Sequence, residues 1–162
     1  MNPNFHSFQK KITNPIKYRA FLLAKLPLGF ITGLTITSLT EEQAAVSVKF
    51  GWINQNPFKS IYFAVLSMAA ELSTGVLALG QVAGRKPAVS MLVTKCEGQF
   101  LKKATGKIVF TCKDGNAIAK TVEGALATGN GVEIKAATEG INEKGETVAI
   151  FHFTWSFKAK SA

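Results

Sequence analysis

The chain has 162 residues, 47% of them hydrophobic and 18% charged, with a formal net charge of +9. That length suits one domain with a buried core, and the hydrophobic share argues against a disordered chain. Cys96 and Cys112 lie far apart, with no CxxC spacing and no nearby histidine. The pattern argues against a metal site and fits reduced thiols in a cytoplasmic protein, with no cofactor implied.

Residues 5–13 suggest a short amphipathic turn. Asn14-Pro15 then reads as a helix cap followed by proline at the first helical position. A helix over about 15–26 follows, with Ile16, Ala20 and Leu23 on one side, and Pro27 and Gly29 stop it. Residues 30–39 and 43–50 read as two strands joined by a Thr-Glu-Glu turn. In the second, Ala45, Ser47 and Lys49 alternate with Val46, Val48 and Phe50. After the loop GWINQNPFKS comes a long apolar helix over about 62–82, ended by Gly84 to Pro87. Four further strands are expected over 89–101, 106–113, 131–140 and 146–158. The last two are joined by a hairpin at 142–145. Between the middle pair, 116–127 has helical character and ends at Gly129.

A helix apolar on nearly all sides must be covered on most of them. A curved antiparallel sheet wrapped around it, with a partner subunit completing the cover, meets that need. The expected fold class is therefore α+β in a single domain over 1–162, with an N-terminal helical segment over 1–28 and the core over 30–158. The 60–84 stretch is also long enough to span a bilayer. However, Glu71 stands at its midpoint, where a charge costs about 3 kcal/mol, so stable membrane insertion is not expected. The N-terminus MNPNFHSFQKK does not read as a signal peptide, and Lys25 and Pro27 interrupt the first apolar run.

The positive charge is uneven. Residues 1–40 carry five basic groups and no acid, and residues 85–120 carry eight against Glu97 and Asp114. Such concentrations suit a phosphate-bearing ligand, a nucleic acid or a membrane surface, and they also simply aid solubility. Nucleic acid is disfavoured because the aromatics sit mainly in apolar strand contexts rather than among lysines, and no recognition motif is present.

Glu71 is the only charged residue between Lys59 and Arg85. Burying a lone carboxylate costs several kcal/mol unless it is paired or protonated. At 100° per residue it shares its face with Ala64, Ser67, Met68, Thr74, Gly75 and Ala78, a mostly small or polar stripe that leaves room beside it. Close helix packing would use such a stripe too. Upstream, Asn56 can orient a carbonyl or a water, or merely close a turn before Pro57. The first helical turn at Tyr62, Phe63 and Ala64 offers N–H groups without intrahelical partners. These can stabilise an oxyanion or be capped by Ser60.

Asn56, then Tyr62-Phe63-Ala64 six residues on, then Glu71, resembles the layout of hotdog-fold thioesterases of the phenylacetic-acid-degradation type. Those carry Asn, His-Gly-Gly and a helical Asp or Glu at the same spacing. The likeness runs from about residue 30 to 158. The chain is still more similar to an uncharacterised hotdog family with an N-terminal helix. The resemblance implies an acyl-CoA or related acyl-carrier thioesterase. Glu71 would be base or nucleophile, Asn56 would position carbonyl or water, and the Phe63 N–H would polarise the thioester. Ser90 falls where some relatives place a serine near the acid. It also implies a homodimer or tetramer, because acid and N–H come from different subunits. Tyr62, Ala64, Ser67 and Met68 would line the acyl site, and Arg85, Lys86, Lys102 and Lys103 would meet the carrier phosphates. Tyr62-Phe63-Ala64 replaces His-Gly-Gly and brings bulk where glycine permits close approach. The alternative is a non-catalytic acyl-CoA or fatty-acid binder.

Overall fold

The computed structural model describes residues 2–160; the outermost domain limits, 1 and 162, lie outside them. Three helices come first: α1 (Phe5–Ile12), α2 (Pro15–Lys25) and α3 (Pro27–Ile31). Asn14 caps α2 as its sequence suggests, accepting from the Lys17 N–H at 3.1 Å with Pro15 in the first turn. Residues 30–32 depart from expectation. They end α3 rather than begin a strand, because Pro27 at the first position of α3 starts a new turn. Gly33, at φ +73°, then swings the chain out of it.

Strands β1 (Thr35–Leu39) and β2 (Ala44–Lys49) form a hairpin. Its turn is closed by the Thr40 hydroxyl, which accepts from the Glu42 and Gln43 N–H groups. A single 3-10 turn (Trp52–Asn54) and a loop lead into α4 (Phe63–Val82). Then follow β3 (Val89–Phe100), β4 (Lys107–Cys112), α5 (Gly115–Thr128), β5 (Val132–Asn142) and β6 (Thr147–Ala159). Asn142 closes the β5–β6 hairpin by accepting from the Lys144 and Glu146 N–H groups.

The six strands form one antiparallel sheet in the order β1-β2-β4-β5-β6-β3. Period two sets its inner face. Ile108, Phe110 and Cys112 of β4 and Phe151, Phe153, Trp155 and Phe157 of β6 are buried, while their neighbours are more open. α4 packs against β2 through β6 and against α5 and α1. This is the hotdog arrangement, a sheet curved around a central helix. α4 is long and apolar enough to cross a membrane, but 67% of its most apolar stretch is buried inside the fold, where it forms the core helix. The N-terminal segment is clamped to the far end of α4. The Asn2 amide donates to the Gly80 and Ala83 carbonyls, and Phe5 packs so closely on Gly80 that a Cβ there would overlap its ring.

Candidate functional site

Along α4, most residues face the sheet or α5 and are buried. Ala64, Ser67, Met68 and Glu71 are only half-buried and follow one another at helical spacing. The predicted stripe therefore holds over these four. Thr74, Gly75 and Ala78 continue it under cover.

Glu71 opens on a cleft of about 470 Å3. Its walls come from α2 and the residue after it (Phe21, Lys25, Leu26), from α4 (Leu72, Gly75, Leu79), from β3 (Met91, Leu92, Val93) and from Trp155 of β6. Among the described residues, the carboxylate has no hydrogen-bond or ion-pair partner. Burial raises its pKa above the ordinary glutamate value. Gly75 explains how it fits. A Cβ there would lie 3.0 Å from Glu71 Oε1 and 3.2 Å from Trp155 Cζ2, so the bare backbone leaves room for carboxylate and indole alike. Trp155 is held in turn, since its Nε1–H donates to the Thr74 hydroxyl at 2.9 Å. That hydroxyl donates to the Glu71 carbonyl at 2.9 Å.

Asn56 lies elsewhere. With Phe63, Leu66, Phe100, Lys102 and Lys103 it lines a second cleft of about 380 Å3 at the N-terminal end of α4. Asn56 Oδ1 accepts from the Phe58 N–H, the Ser60 N–H and the Ser60 hydroxyl, so the turn-closing role is present. Its Nδ2 makes only a 3.5 Å contact to the Ile61 carbonyl and retains donor capacity. Ser60 does not cap α4: Tyr62 is the N-cap residue, and no side chain caps the helix. The first-turn N–H groups, that of Phe63 included, therefore lack a capping side chain. Tyr62 and Phe63 form an edge-to-face pair at 4.9 Å, and Phe63 continues to Phe100 at 6.3 Å.

The structure divides the remaining candidates. Ala64, Ser67 and Met68 line neither cleft and lie on α4 between the two. The Ser90 hydroxyl donates to the Lys158 carbonyl at 3.0 Å, and Ser90 is not among the residues lining the Glu71 cleft, although the next residue, Met91, is. Arg85 is ion-paired with Glu123 and donates to the Gln81 carbonyl, tying down the C-terminal end of α4. It and Lys86 stand at the opposite end of that helix from Lys102 and Lys103, so the four basic residues are not gathered in one place. Lys102 pairs with Glu146 at 2.6 Å, and Lys103 makes a 3.4 Å contact to the Phe58 carbonyl. Among the described residues, no group of three or more His, Cys, Asp or Glu side chains could hold a metal.

Sequence reasoning missed Phe21, Lys25, Leu26 and Trp155. The indole in the alternating stretch FHFTWSF was a signal for an inward-facing residue. Nothing local says that α2 reaches the Glu71 cleft.

Residues 18–157 match the family described as a domain of unknown function, DUF4442. The chain belongs to this family. A search of curated proteins finds no match. Solved structures resemble the family member described here over nearly its whole length. A Pseudomonas aeruginosa protein of unknown function, named a probable thioesterase, superposes with a TM-score of 0.76 at 21% identity, covering 90% of this chain and 97% of its own. A Chlorobaculum tepidum protein of unknown function gives 0.76 at 16% identity, covering 93% and 99%. The Escherichia coli PaaI protein, from the phenylacetic acid degradation operon, gives 0.65 at 14% identity, covering 97% and 96%. At these identities the likeness establishes the hotdog fold.

Proposed function

We propose that the protein hydrolyses acyl thioesters, with acyl-CoA or a related carrier as substrate. The observation that carries this reading is Glu71: a carboxylate without a hydrogen-bond or ion-pair partner among the described residues, its pKa raised by burial, in a cleft that is apolar apart from Lys25 and large enough for an acyl chain. Water attacks the thioester carbonyl carbon while ionised Glu71 takes its proton. The C–S bond then breaks, and the departing thiolate collects the proton as the acid is released. In the nucleophilic variant, Glu71 attacks the carbonyl carbon, the C–S bond breaks and the thiolate departs. Water then cleaves the resulting anhydride, releasing the acid, restoring the Glu71 carboxylate and supplying the proton that the thiolate takes up. The Phe63 N–H supplies the oxyanion donor, with the Asn56 amide positioning carbonyl or water.

Both halves cannot serve one substrate within one chain. Phe63 and Glu71 are eight residues apart on a straight helix, about 12 Å along its axis, and their clefts share no lining residue. A homodimer, or a tetramer built from it, joins one subunit's Glu71 to its partner's donors. Two features support this assembly. β3 is a twelve-residue edge strand paired only with β6, and the Ala64–Ser67–Met68 face of α4 is incompletely covered. Lys102 and Lys103 flank the donor cleft, where they would meet carrier phosphates. A cytoplasmic setting accords with the two free thiols.

The alternative, an acyl binder without turnover, is favoured by one observation: the Tyr62–Phe63–Phe100 aromatic cluster stands where a substrate carbonyl must approach the helix N-terminus. An acyl-CoA hydrolysis panel on wild type and Glu71→Gln, beside native mass spectrometry, tests both. Hydrolysis lost in the variant supports the thioesterase. Binding without hydrolysis in the wild type assigns the binder, and full activity in Glu71→Gln refutes the assigned base.

A further inference from the structure

Helix α2 has two apolar sides, and only one is used by the fold. Tyr18 and Leu22 point inward, with Leu22 only 2% exposed. At 100° per residue, Ile16, Ala20 and Leu23 fall together on the opposite side, and Ile16 is 81% and Leu23 61% exposed. α3, packed against α2, adds the exposed side chains of Leu28 and Ile31. Single exposed aliphatics are unremarkable, but four within sixteen residues form a patch that calls for an occupant.

The charge around the patch identifies that occupant. Lys17 and Arg19 project on either side of the Ile16–Leu23 stripe. Lys10 and Lys11 end α1, and Lys25 ends α2 on the side turned away from the stripe. All five are exposed, and among the described residues none is ion-paired. Arg19 instead lies over the Phe30 ring at 5.1 Å. No acid occurs before Glu41. A second copy of this chain would set five like charges against five, which disfavours a contact between copies. A nucleic acid would meet aliphatics where stacking needs aromatic rings. Aliphatic side chains at the centre with cations at the flanks fit the interface of an anionic bilayer.

We infer that α2, with α3 beside it, docks flat on an anionic lipid surface. The helix has eleven residues and is about 16 Å long, too short to span a bilayer but suited to lie in its headgroup region. Phe21, Lys25 and Leu26 of the same segment wall the Glu71 cleft, and at 100° per residue Phe21 and Lys25 fall on the side of α2 turned away from the Ile16–Leu23 stripe. Docking itself does not depend on any chemistry at Glu71. The test reads partition rather than turnover, so either proposal can fail alone.

The test is co-sedimentation of the full chain with vesicles of phosphatidylcholine mixed with phosphatidylglycerol, and with vesicles of phosphatidylcholine alone. The wild type should partition to the mixed vesicles and much less to the neutral ones, and added salt should release it. Ile16→Ser/Leu23→Ser should weaken partition by about tenfold or more, from the lost apolar burial. Ile16→Val/Leu23→Met should retain it. Lys11→Glu/Lys17→Glu removes two cations at exposed positions and keeps the test valid should the serine variant fold poorly. It should lower partition by at least about fivefold per cation. Equal binding to neutral vesicles, or unchanged partition in both polar variants, overturns the inference. So does a serine variant whose main effect is a smaller oligomer in light scattering, which would assign the face to a second copy.

Discussion

The two clefts on α4 make an instructive pair. The cleft at Glu71 has one carboxylate among walls that are apolar apart from Lys25, and no hydrogen-bond donor is committed to it among the described residues. The cleft at Asn56 and Phe63 has an amide, an uncapped helix N-terminus and two lysines, but no acid. The first environment favours a neutral carboxyl group, and the second favours an anion. A single helix carries both because they lie at different heights on it. For the proposed hydrolysis, one supplies the acid and the other the hydrogen-bond donors.

The sharpest way to break this comparison is Glu71→Gln, which keeps the shape and removes the proposed base. Thioester turnover should fall by about a hundred- to ten-thousand-fold, with substrate binding nearly unchanged. In the wild type, activity should rise with pH as Glu71 ionises through its raised pKa. The same shift has a stability counterpart. Between the ordinary glutamate pKa and the raised one, the native state binds more protons than the unfolded state, so stability falls as pH rises across that interval. Glu71→Gln should therefore melt higher than wild type at neutral pH, and the gap should close in acid. Thermal melts at several pH values would check this, and a gap independent of pH would contradict it.

Gly75→Ala tests the same cleft without touching its charge. The new methyl group would crowd Glu71 Oε1 and Trp155. A displaced carboxylate should cost about tenfold to a hundredfold in turnover, readable as kcat in a steady-state assay. Asn56→Ala probes the other cleft. It should reduce turnover by about tenfold, the worth of one hydrogen bond. It should also lower the melting temperature, because three donors on the 58–60 turn lose their acceptor. The smallest effect is expected from Lys102→Ala/Lys103→Ala. Coenzyme A derivatives should bind about fivefold more weakly at most, and free fatty acids should be unaffected. Equal loss for both ligands would leave the lysines as solvated charge.

Much of the fold was legible because its signals are local. Period two over 44–49 and 147–159 and the cap at Asn14 are written in adjacent residues, and so are the turns at Thr40 and Asn142. Glu71 stood out because a lone charge in an apolar run is conspicuous whatever the tertiary structure. The N-terminal segment was less readable. Ile16, Ala20 and Leu23 make a regular stripe, yet the fold buries Tyr18 and Leu22 instead. A helix apolar on both sides does not disclose which side faces the core. Residues 30–32 carry strand-like side chains, but Pro27 and Gly33 fix a helical turn before them and an exit after them. The walls of the Glu71 cleft come from α2, β3 and β6, whose meeting depends on sheet order and on the docking of the N-terminal segment. No spacing in the sequence encodes either. Ser90 shows the same limit: being adjacent to Met91 did not bring it to the acid.

The chain has two tryptophans, and they sit in opposite optical environments. Trp52 is 84% exposed and should emit far to the red, whereas Trp155 is 4% exposed and lines the same cleft as Glu71. Trp52→Phe would remove the exposed fluorophore from the surface and leave a single buried indole at the cleft wall. Its emission would then follow the arrival of an acyl chain, and separately the ionisation of Glu71, without a label, a coupled assay or any turnover at all.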